Sequence, residues 1–235
     1  MVNSGFHAPS IRAKVPAVPR KRATRVRLAL DERRAQLLSL GRALFNTRTY
    51  DEISIDDIAG AAGISKGLLY HYFPSKRRFF VEAVRAGAAE MLTLTEPPES
   101  DAPPGDRLRI GLDAYLDYVE KNARAYAWLL RTGVGVDPEV REVIEETRQA
   151  VVDRIVQGVG VTTPPPQFRI ALRGWIGLVE AASLDWIEHD RDLGRDALRD
   201  LLIVPLQALF VGVAPETTLV DAPASPPRAR RTRAR

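Results

Sequence analysis

Two lysines, two phenols and an imidazole stand close together at Lys66, Tyr70, His71, Tyr72 and Lys76. Such groups hold phosphates and reach base edges, lysine as a mobile cation and the rings as hydrogen-bonding planes. Tyr70, His71 and Tyr72 are consecutive, so one short helix cannot bury all three. The chain offers little for covalent chemistry. It has no cysteine, which excludes disulfides, cysteine-based zinc sites and thiol catalysis. Its three histidines, His7, His71 and His189, lie far apart in sequence. The run Glu188-His189-Asp190, with Asp192 and Asp196, matches no metal-binding loop. Read as an EF-hand from Asp190, it puts Leu201 where the bidentate glutamate belongs, and it reads as a solvated loop. No P-loop, dinucleotide fingerprint or G-x-S-x-G elbow is present. The expectation is a binding protein without cofactor, metal or catalytic residues.

The elements that must position these groups follow from local signals. Ser54 is a good N-cap, and Asp57 stands where a carboxylate can close a capping box. Ile55, Ile58, Ala59 and Ala62 then repeat at helical spacing. Gly63 ends that helix, and Ser65 caps a second one at once. On the second helix Leu69 and Phe73 lie four apart and face inward. Lys66, Gly67, Leu68, Tyr70, His71 and Tyr72 are left exposed. Pro74-Ser75 breaks the chain, and Lys76 opens a further helix. The two short helices occupy about twenty residues, as a helix-turn-helix requires. Before them, Asp31-Glu32 open a helix with Leu37, Leu38, Gly41, Leu44 and Phe45 on one face, completing a three-helix unit.

Residues 63–76, GISKGLLYHYFPSK, resemble the signature of TetR-family transcriptional regulators, G-[IV]-S-K-G-x-L-Y-x-Y-F-x-[ST]-K. The resemblance is dense over residues 31–80, and beyond them it is one of length and helical pattern. Thr49-Tyr50 holds the place of the family's loop aromatic without its usual preceding glycine. The resemblance implies an operator-binding homodimer controlled by a small molecule. It places Lys66, Gly67 and Leu68 at base edges and Tyr70, Tyr72 and Lys76 at phosphates, with His71 able to do either. Ser54 and Ser65, at helix N-termini, complete the DNA-binding set.

Charge placement agrees with that polarity. The formal net charge is +4. Residues 1–30 hold seven Lys/Arg and no acid, and residues 228–235 hold five Arg, so residues 31–227 carry −8. Residues 31–80 are nonetheless mildly basic, with eight Lys/Arg against six acids. The domain reading is a basic disordered tail over 1–30, a DNA-binding domain over 31–80, a regulatory and dimerisation domain over 81–213, and a Pro/Arg-rich disordered tail over 214–235. The N-terminal tail suits a basic arm on DNA. No apolar signal segment opens the chain, and Leu201–Ala214 falls short of the ~18 residues that span a bilayer. A cytoplasmic protein without membrane contact is expected.

Beyond residue 80 only helical patterns survive, so the fold class is all-α with about nine helices. One helix continues over 76–94, and Pro97, Pro98, Pro103 and Pro104 mark a loop. Leu108–Val119, Ala123–Leu130 (ended by Gly133 and Gly135) and the stretch from Pro138 to Ile155 give three more. Residues 167–189 and about 196–212 close the domain, with Pro205 set to kink the last helix. Gly174, Gly177, Ala181 and Ala182 leave small surfaces for a partner helix, so dimerisation is expected through residues 167–212. Tyr115, Tyr118, Tyr126, Trp128, Phe168 and Trp175 are the expected walls of an effector pocket, with Asn122, Thr147 and Gln149 as its few polar groups. That composition favours an apolar or amphipathic effector: an acyl chain, a steroid or a drug-like aromatic. The functional expectation is a ligand-responsive regulator, with repression the commoner mode of the family. A DNA-compacting protein and a ligand-independent activator are the alternatives.

Overall fold

The computed structural model describes residues 20–97, 102–133 and 137–213. Residues 1–19 of the expected 1–30 tail, the expected tail over 214–235, and the loop residues Pro98 and Gly135 lie outside them. Helix α1 spans Arg20–Phe45, α2 Ile55–Ala61, α3 Lys66–Tyr72 and α4 Lys76–Leu94. Helix α5 spans Pro104–Lys121, α6 Ala123–Trp128, α7 Pro138–Gly158, α8 Pro166–Glu188 and α9 Arg195–Val213. One π-turn, Leu129–Gly133, follows α6. No strand occurs among the described residues. The architecture is all-α, with a helix-turn-helix followed by a larger helical domain.

One expectation changes. The first helix starts at Arg20 and not at Asp31, so residues 20–30 are helical rather than part of a disordered tail. After Pro19 the run RKRATRVRLAL holds good helix formers and no Pro or Gly, so nothing stops the helix short of Pro19. The chain divides into two compact units at Leu37/Leu38. The first contains the opening turns of α1, and the second contains all the packing that follows.

The helix-turn-helix is held by its caps. The Ser54 hydroxyl accepts from the Asp57 N–H at 3.0 Å, and the Ser54 N–H donates to the Asp57 carboxylate at 2.7 Å. Bonds from Ser54 hold the Asp57 carboxyl down at about 2, so it stays ionised and the box stays closed at neutral pH. Gly63 turns the chain with φ 62°, a conformation that costs glycine nothing. Ser65 and Ser75 cap α3 and α4. Leu69 and Phe73 are fully buried (0 % exposed), as their spacing requires.

In the larger domain α4 packs along α7, and α5, α8 and α9 pack on one another. Their shared core includes Leu112, Leu116, Trp175, Leu202 and Leu206. The Trp175 indole donates to the Leu202 carbonyl at 2.8 Å, one turn before Pro205. Proline has no N–H for the helical ladder, so carbonyls near it are available to such donors. Arg77, Arg78 and Arg85 of α4 reach Asp137, the N-cap of α7, and Glu139 and Glu146 within it, at 2.7, 3.0 and 3.1 Å. These exposed pairs fix register more than they add stability, at roughly 0–1 kcal/mol each.

Gly41 on α1 marks the tightest approach. A Cβ there would stand 2.3 Å from Phe79 Cζ, and Phe79 is itself fully buried. Gly41→Ala gains about 1 kcal/mol of helix propensity but forces Phe79 off its packing, a cost of about 1–3 kcal/mol. With two ring carbons inside 2.5 Å the clash dominates. Thermal unfolding of Gly41→Ala is expected at a lower Tm than wild type; an equal or higher Tm would contradict the packing.

Candidate DNA-reading helix and effector cavity

Helix α3 presents a mixed outer face. Lys66, Gly67, Leu68, Tyr70 and His71 are exposed, and Tyr72 is half-buried with its ring edge-on to His71 at 5.8 Å. Ser54 and Ser65 are exposed at the two helix N-termini. Lys66 Nζ lies 2.9 Å from the Asp56 carboxylate. Lys76 is half-buried, with Nζ 4.2 Å from the centroid of the Tyr50 ring. The nine expected DNA-binding residues therefore share the α2–α3 region and the first turn of α4.

Behind them an aromatic seam joins the DNA-reading end to the larger domain. Phe79 packs on Phe45 and Phe73, with ring centroids at 6.4 and 4.9 Å. Phe80, the next residue, packs on Phe45, Tyr50 and Trp128 at 5.2, 4.8 and 5.4 Å. Polar bonds run beside the rings. The Asn46 amide donates to Asn122 Oδ1 at 2.9 Å, and the Asn122 amide donates to the Tyr118 carbonyl at 2.9 Å. Arg42 pairs with Glu90.

The seam is one end of a cavity of about 290 Å³. That volume is close to the lower limit of ~300 Å³ typical of small-molecule sites. Its wall follows α4 from Phe80 to Met91 and ends at Thr95 and Pro97. Fifteen residues of helical rise make that stretch of wall about 20 Å long. Tyr115, Tyr118, Tyr126, Trp128 and Trp175 line it, with Asn122 and Thr147. Phe168 does not. It stacks edge-on against Phe210 at 5.0 Å and is part of the α8–α9 core. Gln149 faces outward and bonds Asp153 at 2.8 Å. Phe45, Arg48, Thr49 and Tyr50, from the DNA-reading end, are wall residues that sequence reading does not identify. The available signal was the loop aromatic Tyr50, whose place in the motif is visible without its use.

Polar groups in the wall are mostly satisfied. The Tyr115 and Tyr126 hydroxyls meet each other. Burial pushes the Tyr115 phenol up to about 12 and the Tyr126 phenol well above its usual value, so both stay neutral. Arg148 forks onto Glu180 at 2.9 and 2.7 Å. That pairing raises the Arg148 pKa further and neutralises Glu180 within the wall.

Residues 37–83 match the family model described as bacterial regulatory proteins, tetR family. Residues 104–209 match a second model, the tetracyclin repressor-like C-terminal domain. The chain belongs to the TetR family. Among relatives of this TetR-family chain is the HTH-type transcriptional activator FasR of Mycolicibacterium smegmatis. The two are 26% identical over 189 residues, 78% of this chain and 84% of FasR. A TetR-family regulator from Streptomyces coelicolor, known from its crystal structure, is 33% identical with a TM-score of 0.73, covering 79% of this chain and 83% of that one. The regulator FadR of Bacillus subtilis, crystallised in complex with stearoyl-CoA, shares the fold at a TM-score of 0.58 and 16% identity, over 76% of this chain and 97% of FadR.

The Arg148–Glu180 pair gives a test of the cavity wall. Each side chain is about one-fifth exposed (22% and 20%), so losing one partner strands a charge in a partly dry site. Arg148 keeps Glu145 at 2.5 Å, which softens the loss. Glu180→Ala is expected to cost about 1–3 kcal/mol in urea unfolding, and Arg148→Met/Glu180→Leu less than that single change. A neutral Glu180→Ala would contradict this role.

Proposed function

We propose that this protein is a ligand-responsive transcriptional regulator acting in the cytoplasm. It binds a palindromic operator as a homodimer, and a small, elongated apolar effector changes its hold on that operator. The observation that carries the reading is that Phe45, Thr49 and Tyr50 of the DNA-reading end are wall residues of the cavity. An occupant of the cavity therefore touches the elements that position α3. A long, mostly apolar wall along α4 from Phe80 to Met91 suits an alkyl chain. The stearoyl-CoA complex of FadR is a precedent for such a ligand on this fold.

For DNA contact, Lys66, Gly67 and Leu68 are assigned to base edges, and Tyr70, Tyr72 and Lys76 to phosphates. His71 serves either, and Ser54 and Ser65 present helix N-termini. Gly67 supports the assignment. Apart from its own helix backbone and chain neighbours, no described atom lies within 4 Å of where its Cβ would be, so packing does not require glycine there. Helix propensity opposes it by about 1 kcal/mol, and close approach of an external surface supplies a reason for it.

For the dimer, α8 and α9 leave an apolar outer face: Ile170, Leu178, Leu201 and Val204 are exposed. Gly174 and Gly177, with open space above them, let a second helix come near. Ala181 shares that face, while Ala182 packs into the core. Ligand and DNA then prefer different separations of the two α3 helices, and each biases the other. FasR is an activator, which favours activation as a second reading of the sign.

Selection of DNA fragments by the purified protein would yield a palindrome; selection without sequence preference would favour DNA compaction instead. On that operator Tyr70→Ala and Lys76→Ala are expected to weaken binding while leaving thermal unfolding close to wild type. Lys76→Ala is expected to lower the salt slope by about one ion. Sedimentation is expected to show a dimer at micromolar concentration. Undiminished operator binding by both variants, or a monomer, would overturn the corresponding part.

A further inference from the structure

The wall at the far end of the cavity from Tyr50 carries charge that no described residue balances. Arg154, on α7, donates to Thr95 Oγ1 at 3.0 Å and to the Leu92 carbonyl at 2.8 Å, both neutral acceptors at the end of α4. Arg107, in the second turn of α5, also lines this end, and its Nε is buried without a hydrogen-bond partner. Neither guanidinium has a carboxylate within ion-pair distance among the described residues. The contrast with the middle of the cavity is sharp, because there Glu180 takes the fork of Arg148. A buried, unpaired guanidinium N–H costs about 1–3 kcal/mol or more unless something accepts from it. The start of α5 adds the positive end of a helix dipole to the same place.

We propose that this end is an anion subsite, and that the effector is an anionic amphiphile. Its carboxylate or phosphate is held by Arg107 and Arg154, and its alkyl chain runs along α4 toward Trp128 and Tyr50. The proposal rests on the reading of the cavity as an effector site and adds a head group to it. A planar fork with several donors suits an oxyanion better than a hydroxyl, and the apolar length beyond it suits a chain. The shared chemistry is an anionic head on an apolar tail. A free carboxylate and a thioester-linked nucleotide phosphate are its two sources.

The test is isothermal titration of the full-length protein with dodecanoate, dodecan-1-ol and dodecanoyl-CoA, using wild type, Arg107→Gln and Arg107→Lys. Wild type is expected to bind one of the two anions at least about tenfold more tightly than the alcohol, the worth of one charge-assisted bond. Arg107→Gln is expected to lose most of that preference while keeping its affinity for dodecan-1-ol. Arg107→Lys is expected to restore part of it. Preference for dodecanoate assigns the head to a carboxylate, and preference for dodecanoyl-CoA assigns it to a nucleotide phosphate. Equal wild-type affinity for alcohol and anions would overturn the anion subsite and leave the apolar effector site standing. So would an anion preference unchanged in Arg107→Gln. Failure of all three compounds to bind would overturn both.

Discussion

Phe79 and Phe80 are neighbours on α4 and face two sides of one seam, and the rest of the molecule depends on that seam. Phe79 closes the helix-turn-helix by packing on Phe45 and Phe73, against the bare backbone of Gly41. Phe80 closes the cavity by packing on Tyr50 and Trp128. Aromatic pairs contribute about 0.5–1.5 kcal/mol each beyond their buried area. The few contacts of this cluster therefore total the same order as a regulatory coupling energy of about 1–3 kcal/mol. A ligand that rearranges one or two of them has enough leverage to alter operator affinity, and no long relay is needed.

Lys76 extends the seam to the outer face. Its ammonium lies over the Tyr50 ring, and Tyr50 is a wall residue of the cavity. A cation over an aromatic face gains about 0.5–1 kcal/mol or somewhat more at such a half-buried site. That is too little to hold Lys76 against a phosphate, yet enough to bias where it waits. Arg48, another wall residue, reaches Asp57 of the α2 capping box at 3.3 Å. The cavity wall thus meets α2 and the start of α4 at two polar points as well as through its rings.

Short-range signals were readable in the sequence. The Ser54–Asp57 box, the Gly63 turn, the Leu69/Phe73 pair and the ends of α4 are written within a few residues of themselves, and the structure places them where those patterns put them. Periodicity also identified the inward residues of α2 and α3, among them Ile55, Ile58, Ala59 and Leu69. It could not say whether the inward neighbour is protein or cavity. Trp175 and Phe168 share one face of α8, yet Trp175 reaches the cavity and Phe168 meets Phe210. Contacts between distant positions were not legible. Tyr50 with Trp128, and Arg154 with Thr95, each join segments more than fifty residues apart with no local mark. The start of α1 at Arg20 has no local mark either, because the basic run over 20–30 continues the charge pattern of the residues before Pro19 and no capping residue stands directly before it.

If cavity and DNA-reading helix communicate through the Tyr50 side chain, operator affinity measured with and without a saturating cavity ligand changes by about tenfold or more in wild type and by less than about twofold in Tyr50→Ala, with ligand still bound. A Tyr50→Ala protein that binds ligand and keeps the full wild-type change would contradict that route.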